Sequence, residues 1–181
     1  MDEILNFKNG IFNLHTTRFG TIGELIIQKK YNMINSNNNA YDKIYNGEKI
    51  EIKFSRALKE HTDKINIVNL IEQCLNSSSV HRWIKYDERN TNVFDCNIQQ
   101  VKPNEFDWLF YGIFFQDKIV IFKIPSSSIQ SIPSYSNKQH RGNIGEGQFH
   151  ITNDNIEYHI KHFLVQIMTY NEIYDLFKKE A

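Results

Sequence analysis

Residues 41–54 read Tyr-Asp-Lys-Ile-Tyr-Asn-Gly-Glu-Lys-Ile-Glu-Ile-Lys-Phe, two short alternating runs around Asn46-Gly47. That dipeptide is the strongest local signal for a two-residue type I′ hairpin, whose central residues both need positive φ. A turn centred there pairs Tyr45 with Glu48, Ile44 with Lys49 and Lys43 with Ile50. It also sets Asp42 opposite Glu51, with Lys53 two residues along on the same face. Like charges directly opposite weaken an antiparallel ladder, so the pairing points to a cation held between two carboxylates. The alternative open to the same spacing is a solvated hairpin in which Asp42 and Lys53 form a diagonal surface ion pair worth under ~1 kcal/mol.

Tyr41, Tyr45, Ile50, Ile52 and Phe54 fall on the other face and make an apolar surface for a core. A slip of one residue would bury Asp42, Glu51 and Lys53 and expose the isoleucines, so turn and pattern select one register.

A chain of 181 residues supports one domain with a substantial core. Lys plus Arg and Asp plus Glu are 21 each. That balance excludes a histone-like polyanion binder but allows a basic patch beside an acidic site. Cys74 and Cys96 are the only cysteines. With no apolar leader behind Met1, they point to a reduced, cytoplasmic protein without a disulfide framework. No apolar run approaches the ~18 residues of a membrane span, so no membrane partner is expected.

Working outward from the hairpin, Thr17 to about Asn32 reads as a helix capped by Thr16 or Thr17, with Ile22, Leu25 and Ile26 on one face. A second helix is expected around Lys64 to Leu75, with Ile67, Leu70 and Ile71 on one side. Strands follow at Asn92–Val101, at the largely apolar and so central Phe106–Phe115, and at Lys118–Ile124 after a Gln116-Asp117 turn. Tyr135 to Gln148 reads as a polar, glycine-bearing loop. Asn171 to Lys179 reads as a closing amphipathic helix with Ile173, Leu176 and Phe177 inward. The order predicts one α/β (α+β) domain over residues 1–181, with a central mixed sheet flanked by helices.

The Asp42…Glu51-Ile52-Lys53 arrangement, on an apolar hairpin behind a helix, resembles the PD-(D/E)XK nuclease superfamily, which includes the type II restriction endonucleases. The resemblance covers Gly23 to Phe54 and implies a restriction-endonuclease-like fold. It implies that Asp42 is the bridging carboxylate, Glu51 the second metal ligand and the Ile52 carbonyl a main-chain ligand. Lys53 would orient or deprotonate the attacking water. Glu24, in Gly23-Glu24, resembles the helix glutamate that many members add behind the metal. Tyr41 stands where the motif often has proline. Gln99 and Gln100 lie near where some members place a glutamine after this strand.

The chemistry itself asks for such a set. Hard oxygen ligands suit Mg²⁺, with Mn²⁺ as a substitute, and Mg²⁺ takes phosphate oxygens in its open positions. A lysine beside the attacking water favours the developing hydroxide. For reading bases, the richest segment is the loop carrying Lys138, Gln139, His140, Arg141 and Asn143: Arg and Lys suit guanine, Asn and Gln adenine. Lys29, Lys30, Arg56 and Lys59 are candidates for phosphate contacts. His150, His159 and His162 lack cysteine partners at zinc spacing and read as surface or half-buried residues. Glu146 has no phosphate-loop context.

The function expected is a Mg²⁺-dependent endodeoxyribonuclease on duplex DNA, most simply a type II site-specific enzyme. One active site per chain and two strands to cut imply a homodimer. The alternatives are a repair or nicking nuclease of the same superfamily, and a non-catalytic nucleic-acid-binding or interaction module.

Overall fold

The computed structural model describes residues 2–60, 63–138 and 144–178. Along the chain come α1 (Glu3–Asn13), α2 (Thr16–Tyr31), β1 (Ile34–Asn35), β2 (Lys43–Tyr45), β3 (Glu48–Arg56), α3 (Leu70–Leu75), β4 (Asp95–Val101), β5 (Trp108–Phe114) and β6 (Lys118–Pro125). Then follow β7 (Ser136–Lys138), β8 (Ile144–Thr152), α4 (Ile156–Phe163), β9 (Leu164–Thr169) and α5 (Tyr170–Lys178). One sheet runs β1-β2-β3-β5-β6-β9 and a smaller one β4-β8-β7. Among the described residues only β3 and β5 pair in parallel, which makes this an α/β domain on a mixed sheet. No helix among the described residues is long and apolar enough to cross a membrane.

The hairpin forms in the expected register. Asn46 and Gly47 have φ of 52° and 83°, and Tyr45, Ile44 and Lys43 lie opposite Glu48, Lys49 and Ile50. Ile50 and Ile52 pack into a core with Phe12, Phe19, Ile26 and Ile173, so α1, α2 and α5 cover one face of the main sheet. Close approach of α2 needs its glycine. The Phe54 ring lies between Gly23 and Gly112 of β5, and a Cβ at either position would overlap it.

The other face departs from expectation. It is not open to solvent, because the small sheet and α4 close over it through Cys96, Ile98, Phe149, Ile151 and Ile156, with Tyr111 beneath. Glu51 is therefore buried, at 8% exposure. Tyr41 also crosses over and packs on this second core. It precedes the paired part of the strand, so alternation does not bind it.

Other boundaries move for local reasons. His15, not Thr16 or Thr17, occupies the N-cap of α2 and makes no side-chain cap hydrogen bond, while Asn32 closes the helix in the left-handed region. Leu25 is exposed, and Gly23 and Ile27 take the buried face instead. Helix α1, unforeseen in the sequence, is capped by Asp2, whose carboxylate accepts from the Ile4 and Leu5 amides. Arg56 is occupied: its guanidinium donates to the Phe12 and Leu14 carbonyls at 2.6 and 3.2 Å and lies over the Phe19 ring. It holds the end of α1, and a role on phosphates is withdrawn. Phe177, expected inward, is exposed, whereas Ile173 is buried.

The helix expected over Lys64 to Leu75 shrinks to Leu70–Leu75 and buries no residue. Its apolar stripe faces outward, with Ile67 at 96% and Ile71 at 75% exposure. Ile71→Asp is accordingly expected to change unfolding free energy by no more than ~0.5 kcal/mol, as at other exposed positions. Urea denaturation checks it; a loss of several kcal/mol would place the stripe inside.

Candidate active site

Just before β2 begins, Asp42 extends the hairpin by one more bond, its amide donating to the Ile50 carbonyl at 3.0 Å. Its side chain then takes over the role of a strand, because Oδ2 accepts from the Ile52 amide at 2.8 Å. The amide and carbonyl of one strand residue point to the same edge, so the Ile52 carbonyl opens on the side where Asp42 sits. This continuation of the ladder by a carboxylate brings Asp42 next to the part of β3 that carries Glu51 and Lys53.

Asp42, Glu51 and Lys53 line a cleft of about 220 Å³. Gln100, Lys102, Glu105 and Glu146 line it from the small sheet and the turn after β4. Glu51 Oε1 and Lys53 Nζ are in direct ion-pair contact. Gln100 reaches the cleft through an irregularity in β4 between Ile98 and Val101, with φ of 57°. Bulges and left-handed non-glycine residues are both locally costly and gather where a side chain must be re-aimed.

Burial pushes the Glu51 carboxyl up to about 7; Asp42 and Glu24 add to the rise, against the opposing pull of Lys53. Burial alone would lower the Lys53 ammonium, but Glu51, then Asp42 and Glu24, outweigh it and hold its pKa above the ordinary value. On α2, Glu24 is raised chiefly by burial and next by Asp42, with Lys43 and Lys53 opposing. Glu24 thus feels the site's field but is not among the residues lining the cleft.

Comparison with known families, curated proteins and solved structures finds no match. The chemistry of the cleft therefore rests on its own residues.

Among the described residues, no three His, Cys, Asp or Glu side chains converge as a ready metal cluster. The donor set still suits Mg²⁺, which is usually held by one or two carboxylates with waters and substrate phosphates completing its shell. Asp42 and Glu51 meet that requirement, and the Ile52 carbonyl lies on the same edge. A third acidic ligand from Glu24 finds no support in this arrangement.

The other candidates divide. Lys138 ends β7 and is exposed. Gln139, His140, Arg141 and Asn143 lie outside the described residues. The segment read as a polar loop is largely strand, since Ser136 pairs with Gln148 and Lys138 with Ile144. Buried residues at a spacing of two begin only at its end, with Gly147, Phe149 and Ile151 of β8. His159 is fully buried rather than half-buried. Its Nδ1 lies 2.8 Å from the Tyr111 hydroxyl, and burial lowers its pKa to about 4. His150 pairs with Asp95 at 2.7 Å. Lys102, Glu105 and Glu146 were not singled out as site residues in the sequence. They come from separate elements and carry no shared local spacing.

A pH dependence follows from Glu51. Its folded pKa lies above the ordinary glutamate value of 4.5, so between those values the native state keeps a proton that the unfolded state has lost. Stability should therefore fall as pH rises from about 4.5 to about 7 and level off above. Glu51→Gln should flatten that segment in denaturation curves taken across pH. An unchanged slope in this variant would show that Glu51 ionises normally.

Proposed function

We propose that this protein is a Mg²⁺-dependent endodeoxyribonuclease acting on duplex DNA, most simply a type II site-specific enzyme working as a homodimer. The observation that carries the reading is the cleft in which Asp42, locked to the edge of β3, meets Glu51 and Lys53. Asp42, Glu51 and the Ile52 carbonyl would hold the ion, and Mn²⁺ would serve as a substitute metal. Bound there, the metal would lower the pKa of a water and act as a Lewis acid toward the phosphoryl oxygens.

The protein's own groups do the remaining work. Lys53 supplies a positive charge that favours hydroxide over water and offsets charge building on the phosphate. Glu51 must give up its proton to act as a ligand, so metal binding is coupled to proton release. Cleavage at a fixed metal concentration should then rise with pH through about 7. A repair or nicking nuclease would use the same residues and differ in the DNA it recognises or in cutting a single strand.

One observation favours a reading of another class: Lys53 already neutralises Glu51 in a direct ion pair. In that reading the chain is a non-catalytic nucleic-acid-binding or interaction module. Incubating the purified protein with several unrelated plasmids and Mg²⁺ or Mn²⁺ separates the two. Metal-dependent fragments support the enzyme; intact plasmids under all conditions support the module.

A further inference from the structure

The cleft holds a second lysine whose surroundings differ from those of Lys53, and the argument for its role rests on the nuclease reading above. Four carboxylates (Asp42, Glu51, Glu105 and Glu146) and two lysines line the cleft. A polyanion entering such a cleft meets repulsion unless cations face it. Lys53 is committed to Glu51 in direct contact. Lys102 is held differently: its Nζ lies 3.6 Å from Glu146 Oε1 and 3.8 Å from Glu105 Oε1, beyond hydrogen-bond reach.

We propose that Lys102 seats a DNA phosphate in this cleft, leaving Glu105 and Glu146 for the phosphodiester as the duplex enters. The Lys102 side chain is 40% exposed, and ion pairs this open hold a lysine only loosely. A phosphate oxygen offers the ammonium a short, charge-assisted hydrogen bond in exchange. The backbone is fixed where this exchange needs it. Lys102 follows directly on β4, and the Glu105 amide donates to the Lys102 carbonyl at 2.9 Å, closing the turn. Glu105 and Glu146 thus park the lysine without DNA and penalise a phosphate that fails to draw it away. Lys102 is a substrate-binding residue, and it reads no base.

The test uses linearised plasmid DNA that the wild-type protein cleaves, with KM and kcat followed over a series of salt concentrations. Lys102→Ala should raise KM about tenfold, well beyond any change in kcat. Loss of one phosphate contact should make the plot of log KM against log salt shallower by about 1. Lys102→Arg should restore most of both, and Glu105→Gln, which removes a competitor for the lysine, should lower KM. If Lys102→Ala matches wild type in KM and salt slope, the inference is overturned while the nuclease reading stands. If Lys102→Ala fails to fold, a folded Glu105→Gln variant that leaves KM unmoved overturns it equally. If wild-type protein cuts no DNA with Mg²⁺ or Mn²⁺, the nuclease reading falls and this role falls with it.

Discussion

Asp42→Asn is expected to give a folded protein whose DNA cleavage is reduced by at least about 10²–10³-fold, the range seen when one stabilising group is removed from a polar active site. The two duties of Asp42 make the asparagine variant the informative one. Its carboxylate accepts from the Ile52 amide at 2.8 Å, which replaces a missing strand partner. An asparagine oxygen can keep that bond while losing the charge that would hold a cation. Asp42→Ala loses both, leaving a part-buried amide without its acceptor at a cost of about 1–3 kcal/mol. Equilibrium unfolding beside a cleavage assay resolves the duties. The alanine variant should be less stable than the asparagine variant, and both should be inactive. Cleavage within tenfold of wild type in Asp42→Asn would remove Asp42 from any metal site.

The second large effect concerns the ion pair. Lys53→Met leaves Glu51 in its buried place without a counter-charge, and breaking a buried pair from one side costs about 3 kcal/mol or more. The loss should be greatest above pH 7, where Glu51 is ionised, and should shrink toward pH 5, where it carries a proton. The double variant Glu51→Gln/Lys53→Met removes both charges and should recover most of the stability at pH 8. Neither variant should cleave DNA, so stability and activity part company in the double variant. If Lys53→Met unfolds at pH 8 at the same urea concentration as wild type, the pair contributes nothing and Glu51 is solvated.

Much of the hairpin was legible because its signals are local. Asn46-Gly47 fixes the turn through its need for positive φ, and the turn fixes every pairing up to Lys43 with Ile50. The apolar Phe106–Phe115 run was legible for a similar reason: a strand buried on both faces, as β5 is, must be apolar throughout. Helix α3 shows the limit of the same reasoning. Ile67, Leu70 and Ile71 have a helical spacing that implies an inward face, yet nothing in the described chain covers them. Periodicity reports that residues share a face; it does not report what the face meets.

The sequence by itself determined the register of the hairpin and, with it, that Asp42, Glu51 and Lys53 share one side of it, since turn chemistry and the strand period of two act within a dozen residues. Only the tertiary structure decided what that side faces. The small sheet closes over it, buries Glu51 beside Lys53 and raises the Glu51 pKa to about 7. It also adds Gln100, Lys102, Glu105 and Glu146 to the cleft from positions some 50 to 100 residues away in the chain. Contacts at that separation depend on how the two sheets stack, and stacking is set by whole apolar faces rather than by any spacing of charged residues.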